Sequence, residues 1–106
     1  MFILTPSETF KALVKVNVAT PSGAWREESF TAIFRRSDEE QREELLELKN
    51  TELLKRVLVG WEMVDEERKP VEFNEQNFAA FLRLIGACRE AAKAYWQHNT
   101  GAKQKN

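Results

Sequence analysis

Apolar residues alternate with polar ones in the first third of the chain and recur at helical spacing afterwards. Residues 11–19 are apolar at every second position, and this period, with several β-branched side chains, predicts a strand. Residues 20–23 (TPSG) are a turn signal, and residues 25–36 read as the returning strand. We therefore expect an N-terminal β-hairpin that lies over helices. Its apolar face consists of Ala12, Val14, Val16, Val18, Phe30, Ala32 and Phe34.

Two helices are predicted in the middle of the chain. Ser37 and Glu40 have the spacing of a capping box, with Ser37 as N-cap, and the helix they start runs to about Leu48. Residues 49–51 either break or bend the chain before a second helix. That helix is expected to end at Gly60, which follows its last periodic apolar residue and suits a left-handed C′ position.

A small central hairpin and two more helices follow. Trp61, which we expect in the core, begins a short apolar run, and residues 65–70 form a polar turn before the chain returns. Asn74 is the predicted N-cap of the next helix. The last two helices are expected at residues 75–85 and 87–98, separated at Gly86.

These elements define the fold class. We expect an α+β fold with an N-terminal β-hairpin, a small central hairpin and about four helices in one domain. A chain of 106 residues is long enough for one core. The domain is expected to span residues 1–98. Residues 99–106 are polar, basic and free of large apolar side chains, which predicts a disordered tail.

Charge and composition argue against several classes of function. The 16 basic and 17 acidic side chains are interspersed and give a net charge of −1, which lacks the footprint of a duplex DNA binder. No apolar run approaches the ~20 residues that span a bilayer, and the first residues do not resemble a signal peptide. Cys88 is the single cysteine, so it cannot form an internal disulfide, which fits a reducing compartment.

The sequence offers little catalytic chemistry. Cys88 and His98 are the one cysteine and the one histidine, too few for a zinc site of the usual type, although spacing alone leaves a Cys–His pair open. Asp65, Glu66 and Glu67 lack the alternating spacing and the glycine of a calcium loop and read as a solvated turn. No phosphate-binding glycine motif occurs. We expect no enzyme activity, no metal and no cofactor.

The aromatic residues are the candidates for partner binding. Three tryptophans in a small domain are hard to place together at its centre, and partly exposed aromatics are favoured as interface anchors. We select Phe2, Trp25, Tyr95 and Trp96 as partner-binding candidates. Peripheral packing against the core is the alternative for each of them.

Two stretches of the chain resemble the tail assembly chaperones of long-tailed, lambda-like phages and prophages. Residues 55–61 (KRVLVGW) and 71–77 (VEFNEQN), with an acidic turn between them, are similar to the family's Val-x-Gly-Trp stretch and its Phe-Ser/Asn-Glu helix start. Thr9, Phe10, the valine-rich strand and residues 30–36 (FTAIFRR) resemble the family's opening. The resemblance spans roughly residues 2–98. The chain departs from it in having only Pro21 in its first turn, and Arg68 and Lys69 where glycine is frequent.

The resemblance implies a function. A member of this family would bind the tape measure protein in the cytoplasm of the host bacterium, keep it soluble and help to recruit tail tube subunits. The tail tube protein would be contacted through an extended form made by a programmed frameshift, with a junction near residues 101–106. Self-association into a homo-oligomer is expected; nucleic acid and membrane are not expected partners.

Two alternatives stay open at the level of sequence. One is a structural protein of the phage tail or of the head–tail joint, which would be present in finished virions. The other is a small DNA-binding regulator, because residues 75–98 could form two helices joined by a short turn. That reading predicts DNA binding that weakens steeply as salt rises.

Overall fold

The structure, a computed structural model, describes residue 2 and residues 4–100. In this part of the chain it has an α+β architecture, with one three-stranded antiparallel sheet and four helices in a single domain. The elements in chain order are β1 (Thr9–Ala19), β2 (Trp25–Arg35), α1 (Glu39–Leu46), α2 (Asn50–Val57), β3 (Leu58–Glu62), α3 (Glu75–Leu82) and α4 (Ile85–Thr100).

The N-terminal hairpin is confirmed. β1 and β2 pair along their whole length, from Thr9 opposite Arg35 to Ala19 opposite Trp25. β2 is the central strand, and β3 pairs only with its second half, where Glu62 lies opposite Thr31. The first part of β2 therefore has a strand neighbour on one side only, and the end of the hairpin near the turn is a two-stranded ribbon.

The core lies between the inner face of the sheet and the helices, with α4 against β1 and α2 against β2. Phe34, Leu54 and Tyr95 are completely buried. The prediction that Trp61 enters the core is confirmed: it is 7% exposed, and its Nε1 donates a hydrogen bond to the Val71 carbonyl at 2.8 Å. Burial of an aromatic of this size is a major source of stability in so small a domain.

The capping box at the start of α1 lies one residue later than expected. Asp38, not Ser37, is the N-cap: its carboxylate accepts from the Gln41 N–H at 3.0 Å, and the Gln41 side chain accepts from the Asp38 N–H at 3.1 Å. The Ser37 hydroxyl is bonded elsewhere, to Tyr95 and Asn99. Of the two possibilities at residues 49–51, a break or a bend, the structure has a break, since the extended backbone of Lys49 separates α1 from α2.

Gly60 does not end a helix, and this prediction is wrong. α2 ends at Val57, and the chain passes directly into β3, so that Gly60 lies in a strand opposite Ile33. A Cβ atom on Gly60 would come within 3.3 Å of the Ile33 Cδ1 atom. Glycine is present here because a neighbouring side chain crosses over its backbone, not because a helix needs a left-handed residue.

The boundary between the last two helices also differs from the prediction. Asn74 caps α3 as expected, accepting from the Asn77 N–H at 2.8 Å. However, α3 stops at Leu82 and α4 starts at Ile85, so Gly86 lies inside the first turn of α4. A residue in the first turn of a helix does not need a left-handed backbone, and the φ angle of Gly86 is not positive.

The C-terminal helix is longer than expected. The tail was predicted to begin at residue 99, whereas α4 continues to Thr100. The Asn99 side chain is fixed by hydrogen bonds to Ser37. The remainder of the predicted tail, residues 101–106, lies outside the described residues.

The predicted central hairpin is present in reduced form. Its first arm is β3, and its return is held by a single bridge between Val64 and Pro70 and by the Val71 N–H, which donates to the Met63 carbonyl at 2.9 Å. Among the helices that the structure describes, none is both long enough and apolar enough to cross a membrane.

Candidate interaction surface

Cys88 and His98 do not form a catalytic pair. They lie ten residues apart on α4, which separates them by about 15 Å along the helix axis. The Cys88 thiol is buried and donates to the Leu82 carbonyl at 3.4 Å, and burial raises its pKa above the ordinary value of a thiol. A thiol with a raised pKa is a poor nucleophile, because the thiolate is the reactive form.

The contacts of His98 are with its own helix and with one aromatic ring. Its Nδ1 lies 2.9 Å from the Ala94 carbonyl, one turn earlier in α4, and its ring stacks on Phe10 with 6.5 Å between centroids. In residue 2 and residues 4–100, no group of three His, Cys, Asp or Glu side chains is placed to hold a metal ion.

The acidic turn after β3 is organised by its own first residue. The Asp65 carboxylate accepts from the N–H groups of Glu67 at 2.8 Å and Lys69 at 3.0 Å, and the Arg68 N–H donates to the Asp65 carbonyl. Arg68 has a left-handed backbone with φ of 62°. This is one of the positions where the resembled family often has glycine, a residue that adopts that conformation without strain.

Tyr95 does not lie on the surface. Its ring is 0% exposed and packs against Phe34 at 5.3 Å between centroids, and its hydroxyl hydrogen-bonds with that of Ser37. Burial raises the pKa of the Tyr95 phenol, and the hydrogen bond to Ser37 opposes part of that rise. The choice of Tyr95 as an exposed partner-binding residue is therefore corrected: it fixes the C-terminal end of α4 to the core.

The other three aromatic candidates are at least partly accessible, but two of them are far apart. Phe2 is 85% exposed and Trp25 72% exposed, whereas Trp96 is half-buried and contacts Tyr95. Trp25 begins β2, and Trp96 lines a pocket with Ser37, which follows the end of β2. An 11-residue strand separates these ends by about 33 Å, so Trp25 and Trp96 do not form one surface.

A larger apolar surface lies elsewhere, at the hairpin end of the molecule. It is a groove of about 500 Å³ between the inner face of the ribbon, the segment after β3 and the junction of α3 with α4. We call it the apolar groove. The residues that define it here are Val18, Phe30, Met63, Val64, Leu84 and Ile85.

The apolar groove is open to solvent although most of its lining is aliphatic or aromatic. Val64 is 60% exposed, Leu84 57% and Ile85 85%, and all three line it. Scattered exposed aliphatic residues are ordinary, but a contiguous set around a concavity marks an interaction site. Glu28 is the charged residue among those described as lining the groove, and it pairs with Arg26 at 2.5 Å.

Sequence reasoning did not select these residues as a surface. It groups Val18 with Val14 on one apolar strand face, expects Ile85 at the end of a helix, and assigns no role to Leu84. The structure buries Val14 but leaves Val18 38% exposed, because the ribbon extends beyond the helices. One signal of an uncovered surface was available: more apolar positions at one end of the fold than the predicted elements could cover.

No protein-family model, curated protein or solved structure matches this chain. The candidate surface therefore rests on the geometry of the chain itself.

Proposed function

We propose that this chain is a non-enzymatic tail assembly chaperone that binds the tape measure protein of a long-tailed phage or prophage. The observation that carries the proposal is the apolar groove, where Val64, Leu84 and Ile85 line one concavity and are each more than half exposed. A surface of this kind suits apolar side chains on an extended or helical client.

The chemistry of the other residues supports a binding role. The buried thiol of Cys88 and the ring of His98 serve packing and hydrogen bonding within α4. The exposed surface carries mixed ion pairs, such as Lys11 with Glu62 at 2.6 Å and Arg56 with Glu44 at 2.7 Å. A surface of mixed charge does not favour binding to one highly charged polymer.

The physical task would be to cover apolar stripes on the tape measure protein before tail tube subunits assemble around it. Burying apolar area releases about 25 cal/mol per Å², so a client segment seated in the groove gains affinity mainly from this term. The complex would form in the bacterial cytoplasm, where tails assemble. An extended, frameshifted form would carry the contact with the tail tube protein; a gene without a slippery heptamer near its last codons would contradict that part.

Co-expression with the long helical protein encoded just downstream tests the proposal. We expect that protein to be insoluble alone and to co-purify in soluble form with this chain. No binding, together with a downstream protein that is soluble by itself, would contradict the proposal. The presence of this chain in purified virions would instead indicate a structural tail or head–tail joining protein.

A further inference from the structure

We propose that a client segment binds at the apolar groove as an added β-strand. Its backbone would pair with residues 25–29 of β2, which we call the open edge, and its alternate side chains would enter the groove. The segment would be extended, with a basic residue between two apolar ones. The inference rests on the proposed function for the role of the groove, and it adds the conformation and the sequence pattern of the client segment.

The direction of the backbone groups in the hairpin follows from two hydrogen bonds at its ends. The Arg36 N–H donates to the Glu8 carbonyl at 2.8 Å, and the Thr20 N–H donates to the Ala24 carbonyl at 2.8 Å. In an antiparallel pair, hydrogen-bonded and non-hydrogen-bonded positions alternate. The even-numbered residues of β1 and β2 therefore bond to each other, and the odd-numbered residues direct their N–H and C=O groups outward.

The outward groups of the open edge have no strand partner within the described part of the chain. β3 ends at Glu62, and the chain then folds back on itself, with the Val71 N–H donating to the Met63 carbonyl at 2.9 Å. No described strand therefore continues along the open edge. Its residues are all exposed. An added strand would complete the ladder at this position.

A strand uses this surface more fully than a helix does. A helix in the groove would cover apolar side chains, but its own N–H and C=O groups are bonded within the helix, so the edge groups would stay without a partner. Successive side chains of a strand alternate between the two faces of the sheet. An added strand would therefore pair with the open edge and also direct every second side chain to the inner face, where the groove lies.

The free edge of β1 is less suited to strand addition. Among the described strands β1 pairs only with β2, so its odd-numbered residues, which include Lys11 and Lys15, also direct backbone groups outward. Lys15 and Lys93 of α4 line one cleft beside this edge. Lysines on an edge strand hinder pairing with another chain. The open edge of β2 has no lysine and lies beside an apolar concavity.

Charge on the open edge selects a basic residue in the client. Glu27 lies opposite Asn17 on the outer face, where it is exposed and has no ion pair with another described residue. On the inner face, Glu28 is already paired with Arg26. Opposite charges at directly opposed positions of two strands attract. The client residue opposite Glu27 is therefore expected to be Lys or Arg, and its two neighbours, which point to the groove, are expected to be apolar.

Two fluorescein-labelled peptides of identical composition test the inference. In the first, valine alternates with threonine and lysine. In the second, the same residues are reordered so that the valines recur at i, i+3, i+4 and i+7, the spacing of a helix face. Fluorescence anisotropy with the full chain should show saturable binding of the alternating peptide. The reordered peptide should bind at least about tenfold more weakly, because it forms fewer backbone hydrogen bonds with the open edge.

Proline variants separate the two edges. Glu27→Pro removes an outward N–H of the open edge without removing a bond to β1, and Lys15→Pro makes the matched change on the free edge of β1. Glu27→Pro should weaken binding of the alternating peptide at least about fivefold, the effect of one lost hydrogen bond. Lys15→Pro should bind like the wild type. Glu27→Gln, which keeps the N–H, should lose only the salt-sensitive part of the affinity. Circular dichroism checks that each variant is folded.

Amide hydrogen exchange of the wild type gives a second readout that needs no variant. In the complex with the alternating peptide, the N–H groups of Glu27 and Ser29 should exchange more slowly, while that of Lys15 should exchange as in the free chain.

Four results would each overturn the inference: no binding of the alternating peptide, equal binding of the two peptides, equal losses in the two proline variants, or unprotected amides at Glu27 and Ser29. Co-purification with the downstream protein distinguishes these results from a failure of the proposed function. It is retained if the client binds the groove as a helix, and it is absent if this chain is not a chaperone of that protein.

Discussion

The two ends of α4 contrast in how completely the rest of the chain covers them. At the C-terminal end, Tyr95 is fully buried, and its hydroxyl joins Ser37 and Asn99 in a small hydrogen-bond network. At the N-terminal end, Leu84 and Ile85 are more than half exposed beside a groove. One end is closed by polar contacts and a large ring, whereas the other leaves aliphatic side chains in water.

The contrast separates the part of this small domain that contributes most to stability from the part that leaves apolar surface for partners. The closed end holds the aromatic packing of Phe34 and Tyr95, while Gly86 and Ala87 leave space at the open end. An aliphatic surface that stays in water costs about 25 cal/mol per Å² relative to a covered one, and this is the free energy that a partner recovers on binding.

The largest effect is expected when a buried and an exposed tryptophan are each replaced by alanine. Trp61→Ala should lower the free energy of unfolding by about 3–5 kcal/mol, because Trp61 is buried against Phe73 and Phe81. Trp25→Ala should change it by less than about 0.5 kcal/mol, since that side chain is 72% exposed. Urea denaturation of both variants measures the two losses of unfolding free energy. Equal losses would contradict the assignment of Trp61 to the core and of Trp25 to the surface.

A smaller effect is expected from the hydroxyl of Tyr95. Tyr95→Phe keeps the ring but removes the hydrogen bond to Ser37, which should cost about 1 kcal/mol of unfolding free energy. Ser37→Ala and the double variant complete a thermodynamic cycle, also by urea denaturation. A coupling energy of zero would show that the network does not fix the closed end.

Filling space at the open end should stabilise the fold. Gly86 lies in the first turn of α4, and a Cβ there would meet Val16 Cγ1 at 3.8 Å, an ordinary contact. Gly86→Ala should therefore raise the free energy of unfolding by about 0.5–1 kcal/mol. Gly23→Ala is the control and should destabilise, because Gly23 has φ of +89°. Thermal melts that rank the two variants in the opposite order would contradict this prediction.

The smallest effect is confined to alkaline pH. Burial raises the folded-state pKa of both Cys88 and Tyr95, so between the unfolded and folded pKa values the folded state binds more protons. Stability should then be constant at neutral pH and fall as pH rises above the ordinary values of 9.0 for the thiol and 10.0 for the phenol. Cys88→Ala should flatten the fall near pH 9.0 in a denaturation series; an unchanged slope would contradict the role of the thiol.

The hairpin and the Asn74 cap could be predicted because local pattern determines them. Period 2 over β1 and β2 requires no knowledge of the rest of the chain, and an N-cap needs only its own helix. The predictions for Gly60 and Gly86 are wrong for a common reason. The sequence alone does not distinguish a glycine that ends a helix from one in a crowded strand or in the first turn of a helix. Only the neighbours in space, such as Ile33 over Gly60, distinguish these cases.

The site was less predictable than the fold. Tyr95 is among the partner-binding candidates chosen from the sequence, yet Cys88, Ala91 and Tyr95 recur at i, i+3 and i+7, the spacing of one buried helix face. No local pattern could show that Val64 and Ile85 would remain uncovered. Their exposure depends on where the ribbon and the helices end relative to one another.

The most direct test of the account is the effect of the apolar groove on client binding. The groove variant with Leu84→Glu and Ile85→Glu and the control Leu46→Glu would each be co-expressed with the downstream helical protein, and the soluble complex would be quantified after affinity purification. We predict that the groove variant, folded by circular dichroism, loses the complex while the control retains it. Retention of the complex by the groove variant at the level of the control would contradict the assignment of this surface.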